Sequence, residues 1–386
     1  MSTIQNFPYY LSGVGVITNV QNVEVTSGAF IDIGVLHLSG NTYYGTGESL
    51  TIDSGGIVAV YVAGASASDI VTNGGALFVE NGATATGVVL NGGLFDVISG
   101  GSVTSVTVNS GGTVTLNDNI AQITDIVVSN GGAFNNFGTV SNVVVSAGGS
   151  ENVQKTSLNS GTDISGSIYG VQFIANGAFG VDTTVFSGGT QDVVSNPVYG
   201  LPPAVAISTT VSAGGSQNVN PGGSATDTTV FGSQCVMDGG YALSTTVLSG
   251  GFQHMGGSGS SIASMTIVKS GGRQDVSAGG FAIVTTLSGV QFVSSGGSVT
   301  STTVASGGRE TVLSAGSATS SVLNSGGSAT VSSGGSTSFA TISKGGVQRV
   351  LGSSTDTTIS SGGRELVSSG GSANSATVQS GGSQTV

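Results

Sequence analysis

A pair of glycines preceded by a small residue returns about every nineteen residues along this 386-residue chain. The first glycines of successive pairs include Gly55, Gly74, Gly92, Gly111, Gly131 and Gly148, separated by 19, 18, 19, 20 and 17 residues. Late in the chain Gly307, Gly326, Gly345, Gly362 and Gly381 follow at 19, 19, 17 and 19. A fixed period of this length is the mark of stacked supersecondary units, and it constrains the fold before any single element is assigned.

Within one period the residues between glycines read as strands. Ser301-Thr302-Thr303-Val304 precedes one Gly pair, and Arg309-Glu310-Thr311-Val312 follows it. A second turn comes within the same period, at Ser314-Ala315-Gly316 or Ser332-Ser333-Gly334-Gly335. Thr and Val suit a pleated surface, and glycine supplies the positive φ that corners need. No stretch repeats its apolar residues at the helical spacing, so no helix is predicted. Strands of four to seven residues cannot bury a face alone, whereas stacked coils cover one another. The predicted fold is therefore all-β, a parallel right-handed β-solenoid of about 19-residue coils, the hand following the usual chirality of parallel crossovers. A sandwich of antiparallel hairpins would need register-specific turns but no constant period.

Composition removes several functions. With 7 Lys and Arg against 19 Asp and Glu, the chain carries a net −12, and a nucleic-acid partner is not expected, since such binding rests on phosphate neutralisation. Residues 1–154 hold ten carboxylates and no Lys or Arg; residues 155–386 hold nine carboxylates and all seven cations. Dispersed acidic charge keeps a large flat surface soluble; a cation-binding surface is the alternative. One cysteine, Cys235, excludes an intramolecular disulfide. Two histidines, His37 and His254, do not make a zinc centre, and neither metal nor cofactor is expected. Collagen is excluded because the 68 glycines have no three-residue period. No apolar run is long enough for a transmembrane segment.

Alternation assigns the faces. With Val304 inward, Thr302 is inward and Ser301, Thr303 and Ala305 are outward. In the next strand Val276 and Gln274 face inward while Arg273 and Asp275 face outward. Gln191, Gln217, Gln253, Gln348 and Gln384 occupy the place of Gln274, and amides stacked there are expected to bond to one another along the coils.

The pattern departs in three places. Residues 1–50 have few Gly pairs and carry Phe7, Tyr9, Tyr10, Tyr43 and Tyr44; they are assigned as an N-terminal cap with the first irregular coils, and 51–386 as the repeat array. Residues 158–180 keep strand character with weak corners. Residues 196–206 hold three of the five prolines and read as an insertion bulging from a corner. A tolerated loop is the plainer reading; if it binds a ligand, Tyr199 and Leu201 are its candidate binding residues.

Repeats such as Ser298-Val299-Thr300-Ser301-Thr302-Thr303-Val304-Ala305-Ser306-Gly307-Gly308 followed by Thr311-Val312 resemble the AIDA-type repeats in passenger regions of self-associating autotransporter adhesins and related bacterial surface proteins. The resemblance covers about residues 50–386. It implies a β-helical passenger, extracellular or at the cell surface. The implied function is self-association, cell aggregation or biofilm formation, sometimes with sugars on Ser or Thr. Its implied partners are further copies of itself and a surface polysaccharide. The N-terminus shows no charged segment before an apolar core, so no signal peptide is read there and the export route is left open. The chain stops in mid-repeat at Val386, which reads as an array continuing further. An open final coil would expose unpaired strand edges and associate or fray from about Ser368.

Other classes of β-helical protein require particular residues. A glycan-cleaving β-helix needs carboxylates clustered in a groove. Asp182 and Asp227 sit two coils apart by repeat count, and the doublets Arg309-Glu310 and Arg364-Glu365 should split across two faces. No enzyme is expected. Gly256-Gly257-Ser258-Gly259-Ser260-Ser261 lacks the aspartate of a calcium-binding glycine repeat, and His254 reads as a surface imidazole beside the corner at Gly256. Thr184, Thr210, Thr229, Thr246, Thr286, Thr303 and Thr358 line up as an outward threonine column of the kind ice-binding surfaces use, but a second column is not kept. A filament or surface-layer subunit assembling end to end is the main rival to adhesion.

Overall fold

The computed structural model describes residues 2–4, 20–33, 35–38, 41–118, 120–155, 161–195 and 202–386. It is all-β, a parallel β-solenoid of about 17 turns spaced about 19 residues apart, with no helix among the described residues. Two compact units are distinguished. The first comprises residues 1–184 with 188–191; the second comprises 185–187 with 192–386.

One coil of the second unit shows how the sequence makes the turn. Ser298–Thr300 and Thr303–Val304 lie in one sheet, called sheet A here. Arg309–Val312 lies in the other, sheet B. Each strand pairs in parallel with its equivalent one coil away. Ser298 pairs with Ser317, Thr303 with Val322 and Arg309 with Ser328.

The two glycines between the sheets act differently. Gly307 has φ +81° and open space where a Cβ would stand, its nearest neighbour being Ser288 O at 3.8 Å. It is needed for its left-handed backbone. At Gly308 a Cβ would lie 2.2 Å from Leu287 O in the coil below. It is needed because two backbones approach too closely for any side chain.

A third bend is invisible to a search for glycines. In the middle of sheet A one residue per coil adopts positive φ, and it is usually Ser, Asp or Asn: Ser208, Asp227, Ser244, Ser301, Ser320 and Asp356 lie between 55° and 61°. Short polar side chains tolerate this conformation better than most residues. The bend puts two successive residues outward, so Thr300 and Ser301 are both exposed before Thr302 turns in.

The core is built from columns. Val247, Val268, Leu287, Val304, Leu323, Ile342 and Ile359 form one buried cluster at the end of sheet A. Val276, Val293, Val312, Val331 and Val350 are buried along sheet B. The first unit uses larger side chains in the same way, including Phe95, Phe134, Leu77 and Ile126, all fully buried. It also holds an antiparallel hairpin, Val35–Leu38 with Asn41–Tyr44. These positions agree with the predicted alternation for Val276, Thr302, Val304 and Val312.

Candidate functional site

Inside the coils runs a column of polar side chains. In the second unit Gln217, Gln234, Gln253, Gln274 and Gln291 are fully buried, each in register with the next. Gln234 donates its amide to Gln217 at 2.8 Å, Gln253 to Gln234 at 2.7 Å, Gln274 to Gln253 at 2.7 Å and Gln291 to Gln274 at 2.6 Å. Inward threonines complete the set: Thr245 donates to Gln234 at 3.2 Å and Thr302 to Gln291 at 3.3 Å. The expected amide ladder is present, and burial without a partner would be costly for each of its groups.

Carboxylates occupy the same column, which the alternation argument did not identify. Glu310 follows Gln291 in register, is buried, and accepts the Ser321 hydroxyl at 3.0 Å on Oε1; its Oε2 has no hydrogen-bond partner. Burial pushes its carboxyl up to about 7 against the hydrogen bonds of Ser321 and Thr302. Glu365 accepts Gln384 at 2.7 Å. In the first unit Gln172 donates one amide nitrogen to Glu151 at 3.0 Å and to Asp163 at 2.6 Å, and accepts from Gln191 at 2.8 Å. Burial pushes Glu151 up to about 7, and burial together with the neighbouring Glu151 charge raises Asp163 well above its ordinary range. The signal was legible: Glu310-Thr311-Val312 and Glu365-Leu366-Val367 repeat the spacing of Gln274-Asp275-Val276. Arg309 and Arg364 are exposed while Glu310 and Glu365 are buried, so both doublets split across faces as expected.

The outer face carries the remaining chemistry. Arg273 forms an ion pair with Asp275 and lies 5.6 Å and 4.8 Å from the centroids of Phe252 and Phe292. His254 stands within the strand Phe252–Gly256 rather than at a corner. It pairs in register with Cys235 on one side and Asp275 on the other, and its ring stacks on Phe252 at 6.2 Å. Among the described residues, no group of three or more His, Cys, Asp or Glu is placed to hold a metal.

Asp238 supplies the Gly256–Ser261 turn from the preceding coil. Its Oδ1 accepts Ser258 N at 2.6 Å, Ser258 Oγ at 2.9 Å and Gly259 N at 3.1 Å. The Gly259 and Ser258 bonds hold its carboxyl below the ordinary range. Every one of these partners is a donor, so the carboxylate pins the turn.

The outward threonine column is interrupted in register. Thr246 is followed by Ile267 and then Thr286, and Thr303 by Val322 and then Thr341. The candidates Tyr199 and Leu201 lie outside the described residues.

The fold defines a protein of the parallel β-solenoid class. A crystal structure of a hyper-glycosylated TibA fragment, residues 55–350 of that protein with glycosylation catalysed by TibC, matches at 37% identity and a TM-score of 0.62. The match covers 69% of this chain and 96% of the fragment. The chain belongs to the family of that β-solenoid passenger. The neighbour is an adhesin passenger fragment. No family model matches the sequence, and no curated protein matches it.

Proposed function

We propose that this chain is a surface-exposed, secreted adhesive module whose partner is another copy of itself, and that it drives cell aggregation or biofilm formation. The observation carrying this reading is the 37% identity to the TibA adhesin passenger over nearly all of that fragment. The physical surface suits the role. Stacked coils present long, regular rows of polar side chains, and many weak contacts along such rows add up through effective concentration. The neighbour is hyper-glycosylated; outward hydroxyls here, such as exposed Ser301 and Thr300, are proposed as acceptors of the same modification.

The test is display of the chain on non-aggregating cells, followed by a settling assay, with sedimentation velocity on the purified chain. Aggregation of displaying cells and concentration-dependent sedimentation are expected. Dispersed cells and a monomer at all concentrations would overturn the reading. Negative-stain images of the same sample separate irregular association from ordered end-to-end filaments.

A further inference from the structure

We propose that the outer face of sheet A over three successive coils, Tyr241–Leu243, Ser261–Val268 and Gly280–Leu287, is a docking surface for a second copy of this chain. This inference rests on the self-association reading above and names the surface responsible.

Register brings the residues together. Tyr241 pairs with Ile262 and Ile262 with Phe281; Leu243 pairs with Ser264 and Ser264 with Ile283. Ile267 lies between Thr246 and Thr286. Tyr241, Met265, Ile267, Phe281, Ile283 and Val284 are all exposed, from 37% to 49%. The flanking coils place polar residues in the same columns: Ser224 and Thr226 on one side, Ser298 and Thr300 on the other. The fold thus accepts Ser or Thr here, and the apolar side chains are not required by the coil itself.

Backbone conformation adds a second, independent observation. Met265 and Val284 occupy the positive-φ position of sheet A, at 55° and 59°. The coils on either side fill it with Ser208, Asp227, Ser244, Ser301 and Ser320, and a further apolar occupant, Phe339, comes three coils beyond Val284. A β-branched residue in this region is a true outlier, and strain of this kind persists at functional surfaces. Two adjacent coils keep exposed apolar side chains where a short polar one would relax the backbone.

Charge and area point to a copy of the same molecule. A two-fold contact sets each patch against itself, so the patch must be self-complementary. The chain carries −12, and a patch containing carboxylates would set like charge against like. The outward residues of the three sheet A segments, 241–247, 261–268 and 280–287, include no Asp, Glu, Lys or Arg; Lys269 is exposed just beyond the second. The six exposed side chains present roughly 500 Å² of surface, at the upper end of what monomers leave open and over half of one partner's share of a standard interface.

The experiment uses the full chain. Met265→Ser, Phe281→Ser, Ile283→Thr and Val284→Ser are combined, each copying a residue type found in the same column nearby. Sedimentation velocity is compared with the unaltered chain, with Leu94→Ser, at an exposed apolar side chain of the first unit, as a control. The combined variant should keep or raise its thermal stability and weaken association at least about tenfold, as loss of an apolar hot-spot cluster does; the control should associate normally. If the unaltered chain associates and the combined variant associates equally, the surface is wrong while self-association stands. If the unaltered chain is monomeric at every concentration, both fall. A monomer that instead co-sediments with neutral phosphatidylcholine vesicles through this patch would overturn the second copy in favour of a membrane. If the combined variant loses its β-sheet circular dichroism, the pair Phe281→Ser and Ile283→Thr, which leaves the strained positions untouched, decides between the same outcomes.

Discussion

Gln291 donates its side-chain amide to Gln274 Oε1 at 2.6 Å, and the bonds from Gln274 to Gln253, Gln253 to Gln234 and Gln234 to Gln217 run in the same sense. From Gln217 to Gln291 the column therefore has a direction, each coil giving a hydrogen to the coil before it, whereas Gln348 gives one forward to Glu365. Glu310 is next in register, and a hydrogen given by it to Gln291 would continue the series. A carboxylate has none to give, while a carboxylic acid has one. Burial raises its carboxyl to about 7, so the neutral form is favoured below that pH, and its Oε2 has no hydrogen-bond partner. Glu151 meets the opposite requirement in the first unit, accepting from Gln172.

Stability should therefore depend on pH. An acid whose value is raised on folding favours its neutral form in the fold. The stabilisation is fully present below the ordinary 4.5 and is lost as pH rises toward about 7, beyond which it levels off. For Glu310 the difference corresponds to about 3 kcal/mol. Urea unfolding followed by circular dichroism from pH 4 to 8 should show a falling midpoint. Glu310→Gln should restore a donor, raise the midpoint at pH 8 and flatten the slope; an unchanged pH profile in that variant would count against a protonated Glu310.

Cutting the ladder should be costly and local. Gln253 donates to Gln234 and accepts from Gln274 at 2.7 Å each, and from Thr266 at 3.4 Å. Gln253→Leu leaves the Gln274 amide buried without an acceptor, at a cost of about 1–3 kcal/mol. Hydrogen exchange should quicken in the coils around residues 234–276 and stay slow elsewhere, because repeats couple mainly to neighbours. Uniform loss of protection would refute nearest-neighbour coupling.

Val304 is fully buried while Thr303 beside it faces outward. Val304→Asp buries an unpaired charge and should cost about 3–5 kcal/mol; Thr303→Asp should stay within about 0.5 kcal/mol. Similar melting curves for the two variants would show the face assignment to be wrong.

The Gly307–Gly308 corner separates two reasons for glycine. Gly307→Ala meets open space but a left-handed φ, and should cost about 1–2 kcal/mol. Gly308→Ala places a methyl against Leu287 O and should cost more, about 3 kcal/mol or above, by forcing two coils apart. Thermal melts of both variants test the order, and an inverted order would assign the strain to the wrong glycine.

How much was legible in the sequence follows from what repeats locally. The glycine period, the Thr and Val strands and the offset of Gln274 from Val276 are one-dimensional regularities. They determined the solenoid, its two glycine corners, the inward face and the amide column. The bend at Ser301 escaped because Ser, Asp and Asn adopt positive φ without leaving the compositional mark that glycine leaves. The buried state of Glu310 and the pairing of Glu151 and Asp163 around Gln172 depend on which coil lies above which. So does the meeting of Tyr241, Met265 and Phe281 on one face: residues about twenty apart in sequence become neighbours only when parallel register stacks them. Local chemistry decides how each coil turns, and contact between coils decides which side chains share a proton, a hydrogen bond or a surface.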